Sequence, residues 1–498
     1  MPHDDSSRPG PNDSCLEELL ASGGDLIAKG EADAGVELFR KAVALYPAHA
    51  CSVMGLGLAL KAAGQLAAGL PFIARAVELE PDWLEARYNL GNVLLAAGRL
   101  CEAEESLRRV IAARPEWAYA QNSLGTALLR QRRFIEAAEV FNRAVGAASD
   151  WYLPYHNLGS TLAQLGDDQA AITALRKAIR LQPDAADTNW NLSCLLLKHG
   201  QFEEGFKEYE WRFRNAGLPA PRAGRPQPLW DGRNLKGATL LLCAEQGAGD
   251  LIQFIRFARR IALAGMKVLV ECPASLRRLF KSCAGIAGLV DVEEHCPAAD
   301  LQLPLLSLPR VLGLQPEDLP GPVPYLAAPA GERRIMDALA GADHRVRVGI
   351  AWTGDPRNAR NAERSVTPKD LAPLALLPGV EIFSLQYQNG GLPAGQLEQM
   401  GIRPLGDAFC DFAGVAAAMD RLDLTITIDT ATAHLAGALG KPVWTLLDAR
   451  PDWRWMIHPS VCPWYPTMRL YRQDQAGDWS QVLARVERDL VDFVKQKH

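Results

Sequence analysis

Glycine recurs every 34 residues through the first 214 positions of the chain. Gly30, Gly64, Gly98, Gly166 and Gly200 share one register, with Arg132 at the missing position. Gly23, Gly57, Gly91, Gly125 and Gly159, followed by Ser193, share a second, and Pro47, Pro81, Pro115 and Pro183 a third. Between these marks the apolar residues follow helical spacing, as in NLGNVLLAAGRLCEAEESLRRVIAARP over residues 89 to 115. A unit of this length is a helix pair that cannot bury its apolar face alone, so neighbours must stack into a superhelix with a concave surface. Six copies fit between residues 16 and 214.

This pattern resembles tetratricopeptide repeats, and the resemblance implies that the concave surface holds a protein. Asn89, Asn157 and Asn191 fall in one register on the first helices, with Gly55 and Ser123 at equivalent places. In the arrays of O-GlcNAc transferase, which these repeats resemble, such asparagines bind an acceptor's backbone, because an amide both donates and accepts. Helix packing without a ligand is the competing reading.

Composition narrows the partners. Among 498 residues, 53 basic against 58 acidic side chains leave a net charge of -5, so nothing global calls for nucleic acid. The ten cysteines lack C-x-x-C or zinc spacing, which predicts reduced thiols, no bound metal and a cytoplasmic protein. The opening MPHDDSSRPGPNDS has no apolar run, and no stretch approaches 18 apolar residues. Neither a signal peptide nor a membrane span is expected, and residues 1–15 are expected to be disordered.

Periodicity stops at residue 215, where Pro, Gly and Arg dominate as far as 236. That segment reads as a linker. The preceding EYEWRF (208–213) supplies aromatics to cap the last repeat. Beyond it, ATLLLCA (238–244), EQGAGD (245–250), a helical stretch and KVLVEC (267–272) spell strand, glycine turn, helix, strand. A second set begins at RVRVGIAW (345–352), continues through EIFSLQ (381–386) and reaches DLTITIDTATAHLAGALGKPVWTLL (423–447). The fold class expected is α + α/β, with Rossmann-like domains over 237–340 and 341–498 and ligands at the carboxyl ends of the strands.

In the second set, Asp429 closes a β-rich run and a small-residue helix follows at once. Free amides near Thr430, Ala431, Thr432 and Ala433, with the Thr430 and Thr432 hydroxyls and His434, could hold phosphate. The alternative is a plain N-cap and a structural histidine. Gln246, Gly247, Gly249 and Asp250 likewise read either as a site where a ligand approaches the backbone or as a strand-to-helix turn.

IDTATAHLAGALGKPVWTLL and EQGAGDLIQFIRF resemble the nucleotide-diphosphate motif and the N-terminal glycine loop of heptosyltransferase-like glycosyltransferases, over about residues 237 to 475. The resemblance implies a GT-B fold, with donor nucleotide on the C-terminal domain, acceptor on the N-terminal domain, and no cofactor or essential metal. Asp250 matches the base that deprotonates the acceptor hydroxyl. Arg364 and Ser365 match an arginine-serine donor position in the basic loop after Trp352, itself a candidate donor contact, and that loop also carries Arg357 and Arg360. Gln386 is placed to touch the nucleotide. Trp453, Trp455, Trp464 and Tyr465 form an aromatic cluster over the cleft, with Asp452 and Arg454 as further candidates for ligand contact. The final helix, from Trp479 to Lys495, is expected to cross back to the N-terminal domain.

Fused to tetratricopeptide repeats, such a region is similar to bacterial protein O-glycosyltransferases. Transfer of a sugar from a nucleotide donor to Ser or Thr of a repeat-bound protein is the expected function, with flagellin the leading candidate acceptor. Transfer to lipopolysaccharide or another glycan, and a non-catalytic scaffold, are the alternatives.

Overall fold

The computed structural model describes residues 11–215, 226–291, 298–340, 345–358, 360–458 and 460–497. Residues 216–225 of the expected linker therefore lie outside the described residues, as do residues 1–10. The first helix, Pro11–Ala28, begins inside the leading segment expected to be disordered. A proline at a first helical position suits this start, since its missing N–H has no partner there anyway.

The chain divides into two compact units, Met1–Thr188 and Asn189–His498. In the first, five helix pairs follow one another, from Pro11–Ala28 with Ala32–Leu45 to Tyr152–Leu165 with Asp168–Leu181. Both glycine registers have physical causes. Gly30, Gly64, Gly98 and Gly166 have φ between 76° and 83° between the helices of a pair, and Arg132 adopts 64° in the same place. The second register is a packing requirement. A Cβ on Gly23, Gly57, Gly91, Gly125 or Gly159 would overlap Phe39, Ile73, Leu107, Phe141 or Leu175. Each of those side chains comes from the second helix of the same pair, and each is itself spaced by 34 from the next.

The sixth pair, Ala186–Lys198 and Phe202–Glu208, straddles the division, and its second helix belongs to the other unit. There Phe202, Phe206 and Tyr209 are buried. Phe202 stacks on Trp464 at 6.1 Å, while Phe206 and Tyr209 meet Trp453 edge-on at 5.7 Å. Of the EYEWRF aromatics, Tyr209 caps the last repeat, packing on Trp190 at 4.8 Å, while Trp211 and Phe213 are half-buried.

The second unit holds two parallel sheets. The first comprises β1 (Thr239–Cys243), β2 (Lys267–Cys272), β3 (Ile286–Asp291) and β4 (Leu301–Pro304), in the order β3-β2-β1-β4. The second comprises β5 (Val346–Ala351), β6 (Val380–Ser384), β7 (Ile402–Pro404), β8 (Leu424–Ile428), β9 (Val443–Leu447) and β10 (Met468–Arg472), in the order β10-β9-β8-β5-β6-β7. Leu240 pairs with Val268 on one side and Leu301 on the other, and Val348 with Ile382 and Leu424. The connections therefore reverse direction between β1 and β4 and between β5 and β8, and such switch points leave a crevice at the strand ends.

One core joins the helices Ala248–Phe254 and Ala431–Ala438 to the aromatic segment 453–465, while another lies on the far face of the second sheet. The last helix, Ser480–Lys497, packs there through Val482, Val486 and Leu490. This corrects the expected crossing to the N-terminal domain, because its apolar stripe is satisfied by the sheet beside it. No helix among the described residues is long and apolar enough to cross a membrane.

Candidate functional site

The three segments singled out for chemistry all leave strands at the two switch points. The glycine loop follows β1, the Trp352 loop follows β5, and Asp429 follows β8. Two of them meet. A Cβ on Gly249 would stand 3.0 Å from His434 Cδ2 and 3.4 Å from Ala431 Cα, so the loop lies in tight contact with the late helix and a side chain there would press on the His434 ring.

Asp250 sits on the third position of the helix Ala248–Phe254, where its Oδ2 accepts the Gly247 N–H at 3.0 Å. Its Oδ1 accepts from Arg454 Nη2 at 2.5 Å. Burial pushes this carboxyl above the usual aspartate range, the Arg454 charge pulls it back, and Asp452 adds to the rise. A carboxylate made more basic by burial suits proton abstraction.

At the other motif, Thr430 is the N-cap of the helix Ala431–Ala438, with φ -147° and no side-chain capping bond. Its hydroxyl lies 3.4 Å from Thr427 Oγ1. The Ala433 amide turns back to the Thr430 carbonyl at 3.0 Å, whereas the amides of Ala431 and Thr432 belong to the first turn, which lacks intrahelical acceptors. Both residues are half-buried. Asp429 is pushed up to about 6, by burial first and the neighbouring Asp452 second, with Arg364 and Arg454 opposing.

His434 does not face outward beside these amides. It is 4% exposed, its Nδ1 lies 3.0 Å from Tyr465 Oη, and its ring stacks on Trp455 at 5.1 Å. Burial and the Arg454 charge push it down to about 3, so it is neutral at physiological pH. Its place under the glycine loop makes it a buried spacer and not a free phosphate donor. Trp352 is also core, 3% exposed among the apolar residues of the second sheet, so its ring cannot serve as a nucleotide contact.

Gln386 uses its side-chain carbonyl to accept from the Trp352 and Thr353 amides at 3.2 and 3.1 Å, which clasps the end of β5. Ser365 is likewise engaged locally, donating to the Asn361 carbonyl at 2.6 Å and lying 3.1 Å from Thr353 Oγ1. Arg364 is half-buried and packs against Gly354, with its Nε unbonded among the described residues. Of the loop's other cations, Arg357 pairs with Asp355 at the surface, and Arg360 with Asp448 at 2.7 Å. Asn157 donates to Asn122 Oδ1 at 2.8 Å, which favours packing at that rung, while Asn89 and Asn191 are half-buried on their own helices.

Sequence reasoning missed a second line of polar groups. Arg256 donates to the carbonyls of Pro320 and Trp464 and to Tyr325 Oη, each at 3.0 Å, and its guanidinium lies 4.7 Å from the Tyr465 ring centre. Tyr325 in turn donates to the Ile252 carbonyl at 2.9 Å. Gln253, fully buried, has no hydrogen-bond partner for either amide atom among the described residues. Asp250, Gln253 and Arg256 recur every third position in an otherwise apolar helical stretch, and that polar stripe is the signal that could have found them.

Comparison with known proteins bears mainly on the repeats. Tetratricopeptide repeat models match residues 20–86 and 88–150, and a further one matches 154–185. The protein FlbA of Caulobacter vibrioides is 28% identical over 357 residues, covering 66% of this chain. The chain spans 59% of that relative's length. Among solved structures, MamA of Desulfovibrio magneticus RS-1 is 19% identical, with a TM-score of 0.32, covering 34% of this chain and 97% of its own. The pilF protein of Pseudomonas aeruginosa is 15% identical, with a TM-score of 0.37, covering 41% and 92%. The N-terminal part of the chain is a tetratricopeptide-repeat array, and a parallel-sheet α/β region follows it.

Proposed function

We propose that this protein transfers a sugar from a nucleotide-sugar donor to a hydroxyl of a protein held by its repeats, with flagellin as the first acceptor to try. The observation that carries the reading is the packing of the Gly249–Asp250 turn against the start of the helix Ala431–Ala438. Each element ends a strand at a switch point, where parallel sheets bind their ligands. In this reading the Ala431 and Thr432 amides and the two threonine hydroxyls hold the donor phosphates, and Arg364 supplies positive charge. The bond between the anomeric carbon and phosphate oxygen breaks as the acceptor oxygen attacks, and the acceptor proton passes to Asp250. The repeats recruit the acceptor because stacked helix pairs present a long concave surface.

The test offers full-length protein a panel of neutral sugars on UDP, GDP and ADP and an acidic sugar on CMP, with flagellin and other candidate proteins as acceptors, read by intact mass. A mass gain of one sugar is expected, with Asp250→Asn slower by about 10²- to 10⁴-fold. Absence of transfer from every donor, or an unimpaired Asp250→Asn, contradicts the reading. A second assay offers a lipopolysaccharide core, since transfer there would move the acceptor from protein to glycan.

A further inference from the structure

Arg454 reaches from the segment after β9 to the glycine loop after β1, a contact that the transfer reaction does not by itself demand. Its Nη2 donates to Asp250 Oδ1 at 2.5 Å and its Nη1 to Asp452 Oδ1 at 2.7 Å. The residue is 7% exposed, with its guanidinium 4.5 Å from the Trp453 ring centre. Asp452 also accepts the Arg454 amide at 3.0 Å, so the two residues form a rigid unit. The other oxygen of Asp250 is fixed by the Gly247 N–H.

We infer that Arg454 is a positioning residue, holding the Asp250 carboxylate ionised and fixed in place in the glycine loop, while Asp452 tempers that hold by sharing the guanidinium. The meaning for turnover rests on the transferase reading, whereas the ion pair does not.

The physical case is one of competing influences. Burial is the largest influence on Asp250 and favours the protonated acid, which cannot take a proton from an acceptor. Arg454 opposes that influence. Each carboxylate oxygen has two lone pairs, so Asp250 keeps acceptor capacity after both contacts are made. Asp452 raises the Asp250 carboxyl by repulsion and competes for the same fork. The other group facing Asp250 is the Tyr209 phenol from the repeat tail, pushed up to about 12 by burial and hence neutral. Around Asp452 and Arg454 lie neutral His434, the Cys194 thiol, raised to about 12, and Asp429, which Arg364 also faces. Among the described residues, the charges that act most on Asp250 are therefore those of Arg454 and Asp452. A planar fork can serve two carboxylates at once, and an ammonium does so less well.

The experiment is carboxyl-carbon NMR of the full chain labelled at aspartate, with the Asp250 signal assigned by its loss in Asp250→Asn. Arg454→Gln is expected to raise the Asp250 midpoint by about one pH unit or more, a tenfold change in its proton affinity. Asp452→Asn is expected to lower it, and Arg454→Lys to fall between wild type and Arg454→Gln. The acid limb of kcat/KM should move in the same order. A merely structural arginine would not give shifts of opposite sign in the two variants. Unmoved midpoints, or shifts of one sign in both, overturn the inference. If Arg454→Gln does not fold, Arg454→Lys and Asp452→Asn still decide it. If wild type transfers nothing, the transferase reading falls, while the titration still decides whether Arg454 holds Asp250 ionised.

Discussion

Arg132 and Asp429 are two residues whose positions work against local stability. Arg132 has φ 64°, where its repeat equivalents are glycine. A side chain there crowds its own backbone at a cost of about 1–2 kcal/mol. Arg132→Gly should therefore raise the unfolding free energy of the repeats by roughly 1 kcal/mol, measured as a shift in the urea midpoint. For Asp429 the effect depends on pH. Burial and the neighbouring Asp452 push its folded carboxyl up to about 6 from the 3.8 of a free aspartate, so the folded state binds the proton more tightly. Stability from this group is present at low pH and lost as pH rises through that window. Asp429→Asn, which imitates the protonated form, should raise the melting temperature at pH 8 and give less advantage at pH 4. An equal gain at both pH values would contradict the assignment. His434 runs the other way, since its neutral folded form favours stability as pH rises from about 3 towards 6.5.

At the scale of elements, the tail of the last repeat is fastened to the glycine loop by a buried arginine. Arg212, 1% exposed, donates from Nε and Nη2 to the two Glu245 oxygens at 2.9 Å each, from Nη2 to Ser307 Oγ at 2.7 Å, and from Nη1 to Glu210 at 2.7 Å. Glu245 also accepts the Leu306 amide. Removing the cation alone leaves the half-buried Glu245 carboxylate with only the Leu306 amide, while Glu210 keeps Arg310 and Ser307, so Arg212→Met should cost about 3 kcal/mol in urea unfolding, and adding Glu245→Leu should recover part of it. The repeat register was legible in the sequence because helix packing imposes a strict period. Asp250 and the Thr430 turn were legible because strand, glycine turn and helix are written in adjacent residues. Arg454 and Asp250 are 204 positions apart, and Arg256 and Trp464 are 208, so neither pairing leaves a local trace. The burial of His434 and Trp352 was hidden for the same reason, since a ring that could bind a ligand and one that fills a core look alike in sequence.

At the scale of the whole molecule, the sixth helix pair matters most, because its second helix is part of the core of the α/β unit. A fragment of residues 186–498 should unfold cooperatively, whereas 216–498, lacking Phe202, Phe206 and Tyr209, should expose Trp453 and Trp464 and aggregate. Equal behaviour of the two fragments would contradict this division. The account as a whole depends on the start of the helix Ala431–Ala438, beside the glycine loop, accepting the phosphates of a nucleotide. Calorimetry of the full chain with UDP, GDP, ADP and CMP measures that directly, with Ala431→Asp adding a negative charge where the phosphates would lie. The account predicts saturable heat for at least one nucleotide, with affinity reduced about tenfold or more in Ala431→Asp, while absence of heat from every nucleotide at millimolar concentration would contradict it.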